Sequence, residues 1–220
     1  MLLAGAALAT PAAELLAAGD LVGAWRVGQT AAELGELTAA AEAANLVAQY
    51  RAAGDTEKQL WLERAEKAAR RAVRLFPESA EAYFQLAHAQ AEIIRYVGVW
   101  GKITLASAIK DNLDACLSRD PDHARAYMGL ALWNLQLAKR GLGWLYGASE
   151  NRVVPLFERA VALAPENVEI RKNYGFALLE MGEPEKARGQ LLQALALPAR
   201  TVPDELHQQR ARELLEDIGE

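Results

Sequence analysis

The sequence predicts an all-α protein built from stacked pairs of helices. Its 220 residues include 45 alanines and 33 leucines, two strong helix formers that together make up about 35% of the chain. Valine, isoleucine and threonine number only 23, which is too few for the β-branched runs of a barrel or a parallel sheet. A repeat of 44 residues divides the chain into units of the size of a helix pair.

Prolines mark the ends of the repeating units. Pro77, Pro121 and Pro165 are 44 residues apart, and a fourth unit ends 33 residues later at Pro198. A shift of 44 aligns residues of similar type, in the pairs Ala82/Ala126, Tyr83/Tyr127, Leu86/Leu130, Ala87/Ala131, Trp100/Trp144, Ile109/Val153, Leu113/Phe157 and Cys116/Ala160. Small side chains let helix axes approach to about 8–10 Å. The repeat therefore predicts helix pairs that cross at small residues.

The spacing of these small residues resembles the tetratricopeptide repeat (TPR). The match is best in the last unit, with Gly175 at the helix crossing, Gly182 at the turn, and Ala187, Leu191 and Ala194 on the second helix. The resemblance implies a right-handed superhelix of antiparallel helix pairs, and local capping and turn signals predict about eleven helices. We expect one solenoid domain over residues 10–220, ending in a capping helix over 202–218.

The two middle units are about ten residues longer than a standard TPR unit. The extra residues predict inserted loops between paired helices, at Tyr96–Lys102 and Arg140–Gly147. Trp100, Trp144 and Tyr146 lie in these segments. Two interpretations stay open: the aromatic side chains anchor the loops by burial, or they line the mouth of a binding site.

The first helix of each TPR pair turns three positions toward the concave surface. Aligned by the repeat, these positions are Phe84, Met128 and Lys172, then His88, Leu132 and Phe176, then Ala91, Leu135 and Leu179. Seven of the nine are apolar, which argues against the basic clamp that recognises acidic peptide tails. An apolar groove is normally covered. The cover is the chain itself (an inserted loop or the last helix), a partner helix, or a lipid-like ligand.

A closer resemblance is to the regulator of microtubule dynamics protein family. It is carried by Trp25-Arg26, by Gly98–Ile103 with Ala108–Lys110, and by Leu197–Thr201. This resemblance implies a TPR-like helical domain, and some relatives are similar to lipid-binding helical domains. A second likeness is to TPR proteins that accompany bacterial substrate-binding transport systems.

Composition and motifs favour a non-catalytic binding protein. The net charge of −5 and the pI of about 5.4 argue against nucleic-acid binding. Three histidines and one cysteine, Cys116, are spaced unlike any zinc site, so we expect no metal or cofactor. The sequence lacks the Gly-x-Ser-x-Gly, Walker and His-Glu-x-x-His motifs. The leading interpretation is a scaffold that binds a protein partner in the groove. The alternative is a carrier of an apolar ligand such as a lipid or fatty acid, serving an envelope transport system.

The amino-terminal residues 1–9 are apolar and end in Ala7-Leu8-Ala9, a pattern typical of a signal-peptide cleavage site. They are interpreted as the remnant of a signal peptide or as an apolar tail. The first interpretation favours a periplasmic or secreted protein, and the second is compatible with the cytoplasm. No stretch reaches the roughly 20 apolar residues of a membrane span.

Overall fold

The computed structural model describes residues 11–219, and the candidate signal at 1–9 lies outside this range. Within it, the chain forms twelve α-helices and no strand. The helices are α1 Pro11–Ala17, α2 Leu21–Gly28, α3 Leu34–Tyr50, α4 Asp55–Leu75, α5 Ala80–Ile93, α6 Val99–Arg119, α7 Ala124–Lys139, α8 Gly143–Tyr146, α9 Val153–Leu163, α10 Val168–Glu180, α11 Pro184–Ala196 and α12 Val202–Gly219. A 3-10 turn, Glu150–Arg152, precedes α9. No helix among these residues is long and apolar enough to cross a membrane.

The 44-residue register fixes where the first helix of each pair begins. Ser79, His123 and Asn167 are the N-cap residues of α5, α7 and α10. Each side chain accepts a hydrogen bond from the backbone N–H three residues on, at 3.2 Å for Ser79, 3.2 Å for His123 and 2.9 Å for Asn167. Because the first N–H groups of a helix have no partner inside it, such a cap stabilises the start.

The aligned positions of the repeat occupy equivalent places in the core. The small residues Ala82, Ala87, Ala126 and Ala131 are buried on α5 and α7, and the larger Leu113 and Phe157 are buried on the helices that pack against them. Consecutive helices contact each other throughout, as the repeat predicts. The pairs are α3 with α4, α5 with α6, α7 with α9, and α10 with α11.

The prediction of two inserted loops is wrong in part, because much of the extra length is helical. The first segment is mostly a longer helix: α6 already begins at Val99, so Trp100 and Lys102 lie in its first turn. The second segment contains the single-turn helix α8, which ends at Gly147 with a φ of +66°. That left-handed backbone favours glycine because a Cβ would be strained there.

The two ends of the array meet. The Tyr50 hydroxyl at the end of α3 lies 2.9 Å from Nδ1 of His207 on α12. Gly19, after α1, has a φ of +86° and approaches Val202 so closely that an added Cβ would lie 2.8 Å from a Val202 methyl. Helix α12 also packs on α10 and α11. It therefore covers the end of the last pair and bridges to the first helices.

Candidate functional site

A cavity of about 550 Å³ lies on the inner side of the helix array. Of the predicted groove positions, the structure brings seven to its wall: Phe84, His88, Ala91, Met128, Leu132, Lys172 and Phe176. They come from the first helices α5, α7 and α10. Leu132 and Phe176 are half-buried, so their side chains still have a face open to an incoming group.

Two predicted groove residues lie elsewhere. Leu135 is fully buried in the core that includes Val153 and Phe157. Leu179 packs, partly buried, near Leu191 and Leu214 between α10, α11 and α12. The register predicts both at the third inner position of their helices. At that position, however, each side chain packs against neighbouring helices of the chain and does not face the cavity.

Other parts of the cavity wall come from helices that the groove positions do not include. Helix α3 contributes Ala48, Gln49 and Tyr50, α4 contributes Lys58 and Leu62, α6 contributes Ala106, Ile109 and Leu113, and α12 contributes Arg210 and Leu214. The last helix therefore supplies part of the cover that an apolar groove needs.

A buried polar cluster adjoins the apolar wall, with Arg125 of α7 at its centre. Its guanidinium lies 3.1 Å from Glu42 and 2.8 Å from Glu169, and 3.9 Å from Glu81. The same guanidinium stacks 4.5 Å above the ring of Phe84. Helices α3, α5, α7 and α10 thus share one cation. Removing it would leave the buried Glu169 carboxylate without its ion-pair partner, which costs several kcal/mol in comparable buried pairs.

The Arg125 ion pairs determine the protonation state of Glu169. Burial acts to raise the pKa of the Glu169 carboxyl, but the adjacent Arg125 charge outweighs it and holds that pKa far below its usual range. The pKa of Arg125 is raised, although burial opposes this, because three carboxylates surround it. Both groups are therefore charged across the physiological pH range.

Lys172 is a buried cation that faces the cavity. Its side chain is only 8% exposed, and its Nζ donates a hydrogen bond to Asn173 at 3.0 Å. Within residues 11–219, no carboxylate oxygen lies within 4.0 Å of this ammonium group. Burial lowers the pKa of Lys172, and the nearby Glu169 opposes that effect. The wall therefore combines apolar side chains with a buried cation, Lys172, that lacks a direct counter-ion among the described residues.

His88 lines the cavity, and His207 lies behind its wall, against Tyr50. Gln49 Nε2 lies 3.3 Å from His88 Nε2, so an amide N–H can donate to the imidazole. His207 is 6% exposed, and burial together with the charge of Lys172 lowers its pKa to about 3. In the part of the chain that the structure describes, neither histidine has a serine or cysteine nucleophile in hydrogen-bond contact. Among the described residues, no group of three His, Cys, Asp or Glu side chains could hold a metal ion.

Trp100, Trp144 and Tyr146 of the longer segments are outside the cavity, whereas Tyr96, the first residue of the first segment, lines it. Trp100 and Trp144 are each 83% exposed, so the interpretation that burial anchors these segments is wrong for both. Neither of them lines the cavity, and neither does Tyr146. Of these three, Tyr146 alone is partly buried, packed at 6.3 Å from the Trp133 ring. The apolar pattern alone could not distinguish the buried aromatic from the two exposed ones.

Several solved structures are similar to this chain. TTC0263, a thermophilic TPR protein of Thermus thermophilus, is 18% identical over 88% of this chain and 99% of its own, with a TM-score of 0.54. MamA is 17% identical over 92% and 98% of the two chains, with a TM-score of 0.46. YrrB, described as a TPR protein with an unusual peptide-binding site, is 17% identical over 88% of both chains, with a TM-score of 0.39. The likeness to TTC0263 confirms the predicted all-α TPR superhelix.

A comparison with curated proteins found no match. The family model described as regulator of microtubule dynamics protein 1-3 matches residues 27–219. This range contains α3 to α12 and therefore every helix that lines the cavity. Because the match extends over most of the chain, it confirms the resemblance carried by the sequence: the chain belongs to the regulator of microtubule dynamics protein family.

Proposed function

We propose that this chain is a non-catalytic binding protein whose inner cavity receives an apolar segment of a protein partner. The observation that carries this proposal is the convergence of first-helix side chains from three successive pairs on one cavity. Repeat arrays commonly bind partners on the surface that their first helices form. The apolar wall favours a segment that offers leucine-like or aromatic side chains.

The cavity is large enough for about one turn of a partner helix. One turn of helix is about 10 Å wide and 5.4 Å long, so its volume is comparable with the 550 Å³ available. A partner would then insert one turn, or the side chains of one turn, while the rest of the segment stays outside. Leu132 and Phe176, which are half-buried on neighbouring helices, would contact these side chains.

The test is affinity capture with the double variant Leu132→Asp and Phe176→Asp. We expect wild-type protein to retain a defined partner and the variant to lose it by tenfold or more, since two carboxylates would have to be desolvated on binding. Proteins and lipids retained on the wild-type protein are identified together. Circular dichroism checks that the helical content of the variant is unchanged.

The matched control is Leu192→Asp, because Leu192 is 51% exposed on α11 and does not line the cavity. The control should retain the partner as the wild-type protein does. Equal capture by the cavity variant and the wild-type protein would contradict the proposal. Equal loss in the control would assign binding to another surface.

A second candidate function is binding of an apolar molecule with an anionic head group. The specific observation in its favour is Lys172, a buried ammonium group on the cavity wall beside Met128 and Phe176, without a carboxylate in direct contact among the described residues. A carboxylate or sulfonate in the cavity would supply the counter-ion and bury its hydrocarbon part against the apolar wall.

The probes for this candidate are two fluorescent dyes of similar shape, anionic anilinonaphthalene sulfonate and neutral phenylnaphthylamine. We expect Lys172→Met to weaken binding of the anionic dye by roughly tenfold, the loss of one charge-assisted contact. Binding of the neutral dye should change little, because the apolar wall remains. An equal effect on both dyes, or no binding of either, would contradict the candidate.

A further inference from the structure

An exposed apolar edge lies outside the cavity, where α6 begins and α8 turns, next to the part of the cavity wall formed by Arg95, Tyr96 and Arg140. We call it the tryptophan edge, and it is formed by Val99, Trp100, Ile103, Leu142, Trp144 and Leu145. Each of these side chains is at least 39% exposed, and both tryptophans are 83% exposed. Large apolar side chains grouped in this way on a surface commonly mark an interaction site.

The two parts of the edge are held next to each other. The Tyr146 hydroxyl of α8 donates a hydrogen bond to the Ile103 carbonyl of α6 at 3.3 Å. Trp133 also connects the helices, because its indole N–H donates to the Ala106 carbonyl at 2.8 Å while its ring packs against Tyr146. Trp100 and Trp144 are within three residues of the Tyr146–Ile103 bond, so the backbone segments that carry them meet at this edge.

The charge of the edge is opposite to that of the whole chain. Residues 93–110 and 135–149 contain no aspartate or glutamate, although the chain carries a net charge of −5. Their basic residues are Arg95, Lys102, Lys110, Lys139 and Arg140. Lys102 and Arg140 are exposed and form no ion pair within residues 11–219, whereas the other three pair with carboxylates on α5, α6 and α10.

We propose that the tryptophan edge docks this protein on the surface of an anionic lipid bilayer. Tryptophan favours the boundary between hydrocarbon and head groups, where its apolar ring and its N–H group are both accommodated. Lysine and arginine beside it gain electrostatic attraction to acidic lipids. A symmetric contact with a second copy would bring two such basic edges together, which like-charge repulsion disfavours.

The experiment is vesicle co-sedimentation of the whole chain. One set of vesicles is pure phosphatidylcholine, and the other contains about 30% phosphatidylserine, which supplies the negative surface potential. We expect wild-type protein to bind the anionic vesicles roughly tenfold more tightly, and this preference should decrease as salt is raised. The double variant Trp100→Ala and Trp144→Ala should lose roughly tenfold or more of the binding to the anionic vesicles.

Two control variants separate docking from folding and from general charge. Lys102→Glu, at an exposed position that does not line the cavity, should weaken binding to the anionic vesicles, whereas Arg188→Glu, exposed on α11, should not. Thermal unfolding of the tryptophan variant should match the wild type, because neither side chain is buried. Absence of wild-type binding, or binding that the tryptophan variant retains, overturns the proposal. Self-association that this variant abolishes overturns it as well and assigns the edge to a second copy.

Discussion

At the scale of single residues, the repeat controls how closely two helices approach. Gly175 on α10 occupies the position that Ala87 and Ala131 occupy in the two preceding units. A Cβ placed on Gly175 would lie 2.6 Å from Leu191 Cγ and Cδ2 and 3.3 Å from the Ala187 carbonyl oxygen. The α10–α11 crossing therefore needs glycine at the position where α5 and α7 carry alanine.

Gly175→Ala should destabilise the protein by about 1–2 kcal/mol. Overpacking against the fully buried Leu191 costs about 1–3 kcal/mol, which exceeds the gain of up to about 1 kcal/mol that alanine gives in a helix interior. The control is Gly189→Ala on α11, where nothing lies within 4 Å of the added Cβ. That variant should gain about 0.5–1 kcal/mol. Urea unfolding measures both, and stabilisation by Gly175→Ala would show that the crossing can relax.

At the scale of helices, the sequence predicts pairing better than helix length. The 44-residue register correctly aligns α5 with α7 and α6 with α9, and so predicts the pairs α5–α6 and α7–α9, because buried residues at equivalent positions repeat in type and size. The register cannot indicate that α6 begins at Val99, because the glycines at positions 98 and 101 are typical of a loop. The predicted and observed starts of α6 differ because its first turn extends past the core. There, neither buried contacts nor apolar periodicity indicate a helix.

The cavity shows the same division between repeated and unique contacts. The wall formed by Phe84, Met128 and Phe176 follows from the register, because each comes from the first helix of a pair. The contribution of α12 does not, since this helix follows the last pair. The contribution of α3, the first helix of the pair α3–α4, is not predicted either, because the groove positions are aligned only across α5, α7 and α10. The ion pairs of Arg125 with Glu42 and Glu169 likewise join helices that are distant in the chain, so no local sequence pattern predicts them.

At the scale of the whole molecule, the meeting of the two ends makes the array a closed unit. The bond between Tyr50 and His207 spans 157 residues and fixes α12 against α3. His207 faces Lys172 and Arg125 as well as Glu169 and His88, and its pKa is lowered to about 3 because burial and the neighbouring cations disfavour the imidazolium. The folded chain therefore holds this imidazole neutral. Protonation of His207 would oppose the packing of α12 against α3.

The free energy of unfolding should consequently fall in acid, and His207 should account for a defined share of the loss. Its pKa is about 3 in the folded chain and about 6.5 in the unfolded chain, so the unfolded chain binds the extra proton first. The stabilisation is complete above pH 6.5 and is lost as the pH falls toward 3, by about 2–4 kcal/mol between pH 7 and 4. His207→Gln, which cannot titrate, should be less stable at pH 7 but should lose correspondingly less in acid.

The matched control for this pH dependence is Tyr50→Phe, which removes the hydrogen bond to His207 and keeps the imidazole. Its stability should therefore fall in acid as steeply as that of the wild type, because the titrating group is still buried beside the same cations. Urea unfolding at a series of pH values measures all three proteins. Parallel curves for His207→Gln and the wild type would mean that other groups, the carboxylates around Arg125 first among them, govern acid unfolding.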